Sequence, residues 1–271
     1  MIRDITIGQY YPADSVLHRL DPRVKLVGTL TFLISLFLFN NLIGYVVAGL
    51  FLATMIKVSK VPFSFIVRGL RTIIVLMLFT VVFNLFLTDG TILWQWKFLK
   101  ITVEGIQTAV FMALRLTFLI IGSSLMTLTT TPNQLTDGLE TGLAPLKKLH
   151  VPVHEISMMM SIALRFIPIL LEETDKIMKA QQARGADFEE GKLLERVKAL
   201  VPILVPLFVS AFRRANDLAM AMEARCYRGG EGGTRMKPLK YTKRDGLAYF
   251  CLVAYLVILV ASTRLWGMLI A

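Results

Sequence analysis

Apolar residues fall in membrane-length blocks separated by short polar clusters. No residue between Lys25 and Lys57 is charged. A straight helix through that stretch would be about 46 Å long, well beyond a hydrocarbon core of roughly 30 Å. Asn40, Asn41 and Gly44 interrupt it near the middle, which predicts two short helices joined by a tight turn. A third apolar helix is predicted over 72–87, closed by the turn signal Thr88-Asp89-Gly90. A fourth runs over 105–128, before the break Thr129-Thr-Thr-Pro132-Asn, and a last span covers 246–265. Strand-like alternating segments of about 10 residues are absent, which argues against a transmembrane barrel.

The region before the last span has a different pattern. Three helices are predicted over 132–149, 153–183 and 190–224, with Pro168, Pro202 and Pro206 bending or segmenting the longer two. Both long helices are largely apolar early and amphipathic later. The first carries Leu170, Ile177, Met178 and Gln181 on one face; the second carries Leu207, Ala211, Ala215, Leu218, Ala219 and Met222 at helical spacing. Neither has a charge-free run that marks a clear bilayer span, so both are expected along or just beneath the membrane. A Gly-rich segment after Cys226 reads as a flexible linker.

The chain is 55% hydrophobic and 18% charged, with a mean hydropathy of +0.62. That excludes an ordinary soluble domain. The expected fold is an all-α polytopic membrane protein with about five transmembrane helices and long bent helices inserted before the last span. Three segments follow: N-terminal membrane helices over 1–130, the inserted helices over 131–243 and the final membrane helix over 244–271. Of the 30 basic residues, 18 lie in residues 131–244, while the first-to-second turn has none. The positive-inside rule puts the N-terminus and the 131–244 region in the cytoplasm. The net charge of +11 is thereby a membrane signature rather than a nucleic-acid one. No cleavable signal peptide is expected, because the first 22 residues carry charges and no apolar core.

No catalytic constellation is present. His150 and His154 are four apart, but Pro152 between them argues against the shared helical face of a metal pair, and no cofactor or metal is expected. A Walker-like stretch from Gly185 to Leu193 is one residue too long, lacks the Ser/Thr and carries three carboxylates, so any ATP must be handled by another subunit. Arg115, inside the fourth span, is expected to face protein or water. Met158, Met159, Met160, Met178, Met220 and Met222 offer adaptable apolar surface.

The strongest signal is a repeat. Ala180-Gln-Gln-Ala183-Arg184-Gly185 returns as Ala221-Met-Glu-Ala224-Arg225-Cys226, at an offset of 41. Each copy closes a long helix. Arginine in a last turn complements the helix dipole, and Gly185 and Gly229 are ordinary helix-ending residues. The recurrence favours docking instead: small alanines let a partner approach while a guanidinium donates charge-assisted bonds into a groove.

These residues resemble the transmembrane T component of energy-coupling factor transporters, ATP-driven vitamin and metal importers. The opening Tyr11-Pro-Ala-Asp-Ser-Val-Leu17-His18-Arg19-Leu20-Asp21-Pro22-Arg23-Val24-Lys25-Leu26 is similar to the N-terminal segment of that family, and the paired Ala-Arg motifs are similar to its coupling-helix ends. The resemblance covers the whole chain. It implies a non-catalytic scaffold in a prokaryotic cell membrane, with two ABC-type ATPase subunits and a membrane-embedded, substrate-binding S component as partners. Arg184 and Arg225 would then anchor the ATPases, flanked by Ala183, Gly185, Ala224 and Cys226. Cys226 departs from the usual Gly or Ser. The competing class is a self-contained channel or secondary transporter gated by its cytoplasmic helices; the poverty of intramembrane ionisable residues disfavours ion-coupled transport.

Overall fold

The computed structural model describes residues 10–96, 99–186, 193–229 and 238–270. The chain is helical throughout its main elements: α1 (Pro22–Ser35), α2 (Leu42–Ser59), α3 (Phe63–Leu87), α4 (Val103–Thr129), α5 (Pro132–Gly142), α6 (Val153–Ala183), α7 (Leu193–Ala224) and α8 (Lys243–Ile270). A 3-10 helix (Ala144–Leu149) follows α5. Between α3 and α4 lies a short antiparallel ribbon, β1 (Ile92–Trp96) with β2 (Leu99–Thr102). This ribbon was not expected from the pattern, being too short to show alternation. The second long inserted helix starts at Leu193 in the structure, and positions 190–192 lie outside the described residues.

By length and composition, four helices among the described residues are long and apolar enough to cross a membrane: α2, α4, α6 and α8. This set differs from the expected spans. The α1 helix has only 14 residues, and the apolar part of α3 is the shorter Ile73–Leu87. The α6 helix qualifies because its first half carries few charges. Helix α3 also begins nine residues earlier than the pattern predicted, at Phe63, after Pro62 sets an extended turn.

The chain divides into two compact units. One holds Gly8–Thr141 with Leu239–Ala271 and the other holds Gly142–Pro238. The core of the first is built from Phe32, Leu36, Phe39, Tyr45, Ala48, Leu52, Ile121, Leu125, Tyr255 and Leu259, among others. Here α1 runs antiparallel to α4, as three contacts in register show. Lys25 Nζ donates to Thr129 O at 2.9 Å, Phe32 packs on Gly122, and Arg115 bonds the Phe39 carbonyl at 3.3 Å. Ser35 Oγ and Tyr255 Oη share a buried hydrogen bond of 2.8 Å, tying α1 to α8.

The predicted break between α1 and α2 is present. Gly44 is required there, because a Cβ would come within 2.4 Å of the Phe39 ring. The tip of this hairpin meets α4 at Arg115. Twelve residues of α4 continue beyond that level, about 18 Å of helix. Arg115 therefore faces protein: it donates to the Asn40 side chain and the Phe39 carbonyl, and lies over the Phe37 ring. Its role is to tie the hairpin tip to α4.

The N-terminal segment forms a clasp across the starts of α1 and α8 and the end of α4. Asp21 N donates to buried Asp245 Oδ1 at 2.8 Å. The other Asp245 oxygen accepts from Thr242 N and Thr242 Oγ1, both at 2.7 Å, capping α8. Buried Lys25 also donates to His18 O at 3.1 Å, and Tyr11 N donates to Leu128 O at 2.9 Å. Charged groups this deep persist only when their bonds are satisfied.

Candidate partner-docking site

The two copies of the repeated phrase close α6 and α7 with the same backbone construction. At the end of α6, Gly185 N donates to Gln182 O at 2.9 Å and Ala186 N to Gln181 O at 3.0 Å. At the end of α7, Cys226 N donates to Glu223 O at 2.8 Å and Tyr227 N to Met222 O at 3.0 Å. Both are Schellman caps, bond for bond. Each places an alanine in the last turn, an arginine at the cap and a left-handed residue just after it. Gly185 has φ +91° and Cys226 φ +57°.

Cys226, not Gly229, is thus the residue that ends α7. Gly229 has φ +87° but lies three residues further on. No heavy atom lies within 4 Å of a Cβ built on Gly185, so its requirement is conformational rather than steric.

Arg184 and Arg225 are exposed, as are Ala183, Ala224, Gly185 and Cys226. Among the described residues neither guanidinium has a hydrogen-bond or ion-pair partner within the chain. The backbone closes each helix without help from the arginine side chain. A capping role for the guanidinium therefore finds no support in the geometry.

Helices α6 and α7 pack antiparallel, and each motif is steadied by the other helix. Gln181 Nε2 donates to Pro202 O at 3.4 Å. That carbonyl is orphaned because Pro206, four residues on, has no N–H to offer it. At the other end Tyr227, immediately after Cys226, reaches Met158 Sδ at 3.1 Å and His154 Nε2 at 3.4 Å. Midway, Glu173 accepts from Ser210 Oγ at 2.6 Å and from Arg214. An apolar groove runs beside this pair, lined by Ile162, Phe166 and Leu170 of α6 and by Ala211, Ala215 and Met222 of α7, among others. Most of the stripe predicted for α7 lines it.

The antiparallel packing sets the distance between motifs. Arg225 lies near the level of Met158, and Arg184 ends the same helix about 26 residues later. The two arginines are thus held apart by roughly 40 Å of helix. Gln181 and Tyr227 were not singled out as site residues by the pattern. Their signal was available: each neighbours its Ala-Arg copy, one before it and one after.

Among the described residues no group of three or more His, Cys, Asp or Glu is arranged to hold a metal ion. Comparison with known proteins gives the family. A family model described as CbiQ, cobalt transport protein, matches residues 13–236. The energy-coupling factor transporter transmembrane protein EcfT of Clostridium kluyveri is 57% identical over 269 residues, covering 98% of this chain and 100% of that protein. Its counterpart in Ruminiclostridium cellulolyticum is 56% identical over 247 residues, 91% of this chain and 92% of that protein. The Bacillus subtilis protein of the same name is 52% identical over 246 residues, with 90% and 93% covered. Matched along nearly its whole length, the chain belongs to the CbiQ family and is a relative of the EcfT transmembrane proteins of energy-coupling factor transporters.

Proposed function

We propose that the chain is the membrane scaffold of an energy-coupling factor importer and passes motion from two ATPase subunits to a substrate-binding membrane subunit. The N-terminus and the Gly142–Pro238 unit face the cytoplasm of a prokaryotic cell, as the distribution of basic residues favours. Arg184 and Arg225 each enter a groove on one ATPase, with Ala183, Gly185, Ala224 and Cys226 keeping the helix ends slim enough for close approach. The observation that carries this reading is the duplication. Two helix ends have the same cap, the same exposed arginine without an internal partner, and a separation suited to two bodies rather than one.

Substrate recognition belongs to the membrane subunit, which packs against apolar surface left open on α6 and α7. Met159, Val205, Phe208 and Phe212 are between 57% and 69% exposed and offer such a surface. The imported compound is a vitamin or a similar micronutrient. ATP is hydrolysed in the partners, and this chain is non-catalytic.

Affinity purification of the tagged chain from its native membrane tests the assignment. Two ABC-type ATPases and a small membrane protein should co-purify, and ATP-driven uptake should disappear when both arginines are replaced by glutamate. Recovery of a homo-oligomer that transports alone would overturn it.

A further inference from the structure

We infer that the first unit carries a binding site for one acyl chain of an anionic phospholipid, with the phosphate held at Arg244. A cavity of about 390 Å³ lies between α1, α2, α4 and α8, with Val16, Leu17 and Leu20 of the N-terminal segment also lining it. Its walls include Gly28, Phe32, Leu125, Cys251 and Leu252, and among the described residues its cationic lining is Lys25 and Arg244. Nothing lies within 4 Å of a Cβ built on Gly28, so the missing side chain there leaves the space open.

The cavity has the dimensions of a lipid tail. It extends along α1 from Val24 to Phe32 and along α8 from Arg244 to Leu252. Eight residues of helix rise about 12 Å, most of the roughly 15 Å depth of one leaflet's hydrocarbon. Protein interiors leave few voids larger than a water molecule, and apolar cavities do not fill with water. In a bilayer the adjacent solvent is acyl chain.

The charge at the rim selects the headgroup. Lys25 is committed, with its ammonium bonded to two backbone carbonyls, and it lies among the buried carboxylates Asp21 and Asp245. Asp21 is further paired with Arg23, so these two acids and two bases balance. Both Asp245 oxygens are taken up by hydrogen bonds from Asp21 and Thr242, so the carboxylate is not available to pair with Arg244. Arg244 is left over. It is exposed, has no side-chain partner among the described residues, and follows exposed Lys240 and Lys243 in the chain. A cation at the mouth of an apolar slot one leaflet deep fits a phosphodiester with a chain attached. That this leaflet is the cytoplasmic one rests on the orientation proposed above; binding itself does not depend on it.

Native mass spectrometry of the full chain in neutral detergent, titrated with phosphatidylglycerol or with phosphatidylcholine of identical chains, tests the site. Phosphatidylglycerol should occupy one tight site, bound at least about tenfold more strongly than phosphatidylcholine, a difference of ~1.4 kcal/mol. Arg244→Gln should erase that preference and leave phosphatidylcholine binding unchanged. Gly28→Leu, which fills the slot, should remove the tight site for both lipids without lowering the melting temperature. Should Gly28→Leu not fold, Cys251→Phe closes the same cavity from α8. Equal binding of the two lipids, or a tight site that survives both filling variants, would overturn the inference. So would filling variants that keep the lipid but no longer retain the co-purifying membrane subunit, which would assign the cavity to protein.

Discussion

Cys226 and Gly185 occupy the same place in two equivalent caps, yet only glycine adopts a left-handed backbone without cost. Cys226→Gly should therefore stabilise the end of α7 by about 0.5–1 kcal/mol, and Gly185→Ala should weaken the end of α6 by about 1 kcal/mol. Hydrogen exchange at the Tyr227 and Ala186 amides, which donate the outer bond of each cap, reads both changes directly. The arginines and alanines of these caps were legible in the sequence because they recur at one offset. The left-handed role of Cys226 was not, because Gly229 nearby is the stronger turn signal and draws the helix end to itself.

His18 belongs to the N-terminal clasp and carries a further residue-scale prediction. Its Nε2 donates to Tyr11 O at 3.0 Å and its Nδ1 lies 2.7 Å from Ser15 Oγ, which donates to it when the ring is neutral. Burial pushes its pKa below the usual histidine value, outweighing the bond to the Tyr11 carbonyl that acts the other way. Below about pH 6.5 the unfolded chain takes up a proton that the folded chain resists, so this contribution is complete above that pH and is lost as pH falls. Thermal unfolding from pH 7.5 down to 5 should show falling stability, and His18→Gln should flatten the dependence. An unchanged slope in that variant would remove His18 from the account.

At the scale of elements, the prolines of α7 explain how it holds α6. Pro206 leaves the Pro202 carbonyl without a helical donor, and Gln181 of α6 supplies one. Pro206→Ala restores the i to i−4 bond and should stabilise α7 by about 1–3 kcal/mol, raising the melting temperature. If the break in the helical hydrogen bonds at Pro206 transmits motion, the same change should leave the complex assembled while ATP hydrolysis no longer drives uptake. Loss of assembly would make Pro206 part of a static scaffold. The helices themselves were largely legible from apolar block lengths and breaks. The bounds of α6 match the pattern, since Pro152 and the Ala-Arg-Gly phrase mark both ends. What the pattern could not supply were pairings between distant segments: Asp21 with Asp245, or Arg115 with Asn40 at a hairpin tip short of the end of α4. Hydropathy records how well each segment suits lipid, not which polar group will meet another across it.

For the whole molecule, the antiparallel packing of α6 and α7 turns a question of topology into one of geometry. Helix α6 is long and apolar enough to cross a membrane. If it crossed, with α7 returning beside it, the two arginine caps would emerge on opposite faces of the bilayer. If both helices lie on the cytoplasmic side, the caps face the same compartment, separated by about 40 Å. Only the second arrangement lets one chain hold two ATPases. The direct test is the number of ATPase subunits bound per chain, measured by mass photometry on the reconstituted complex. The account predicts two for the unaltered protein, one for Arg184→Glu, one for Arg225→Glu and none for the double variant. Two subunits retained by the double variant, or both lost from either single one, would contradict it.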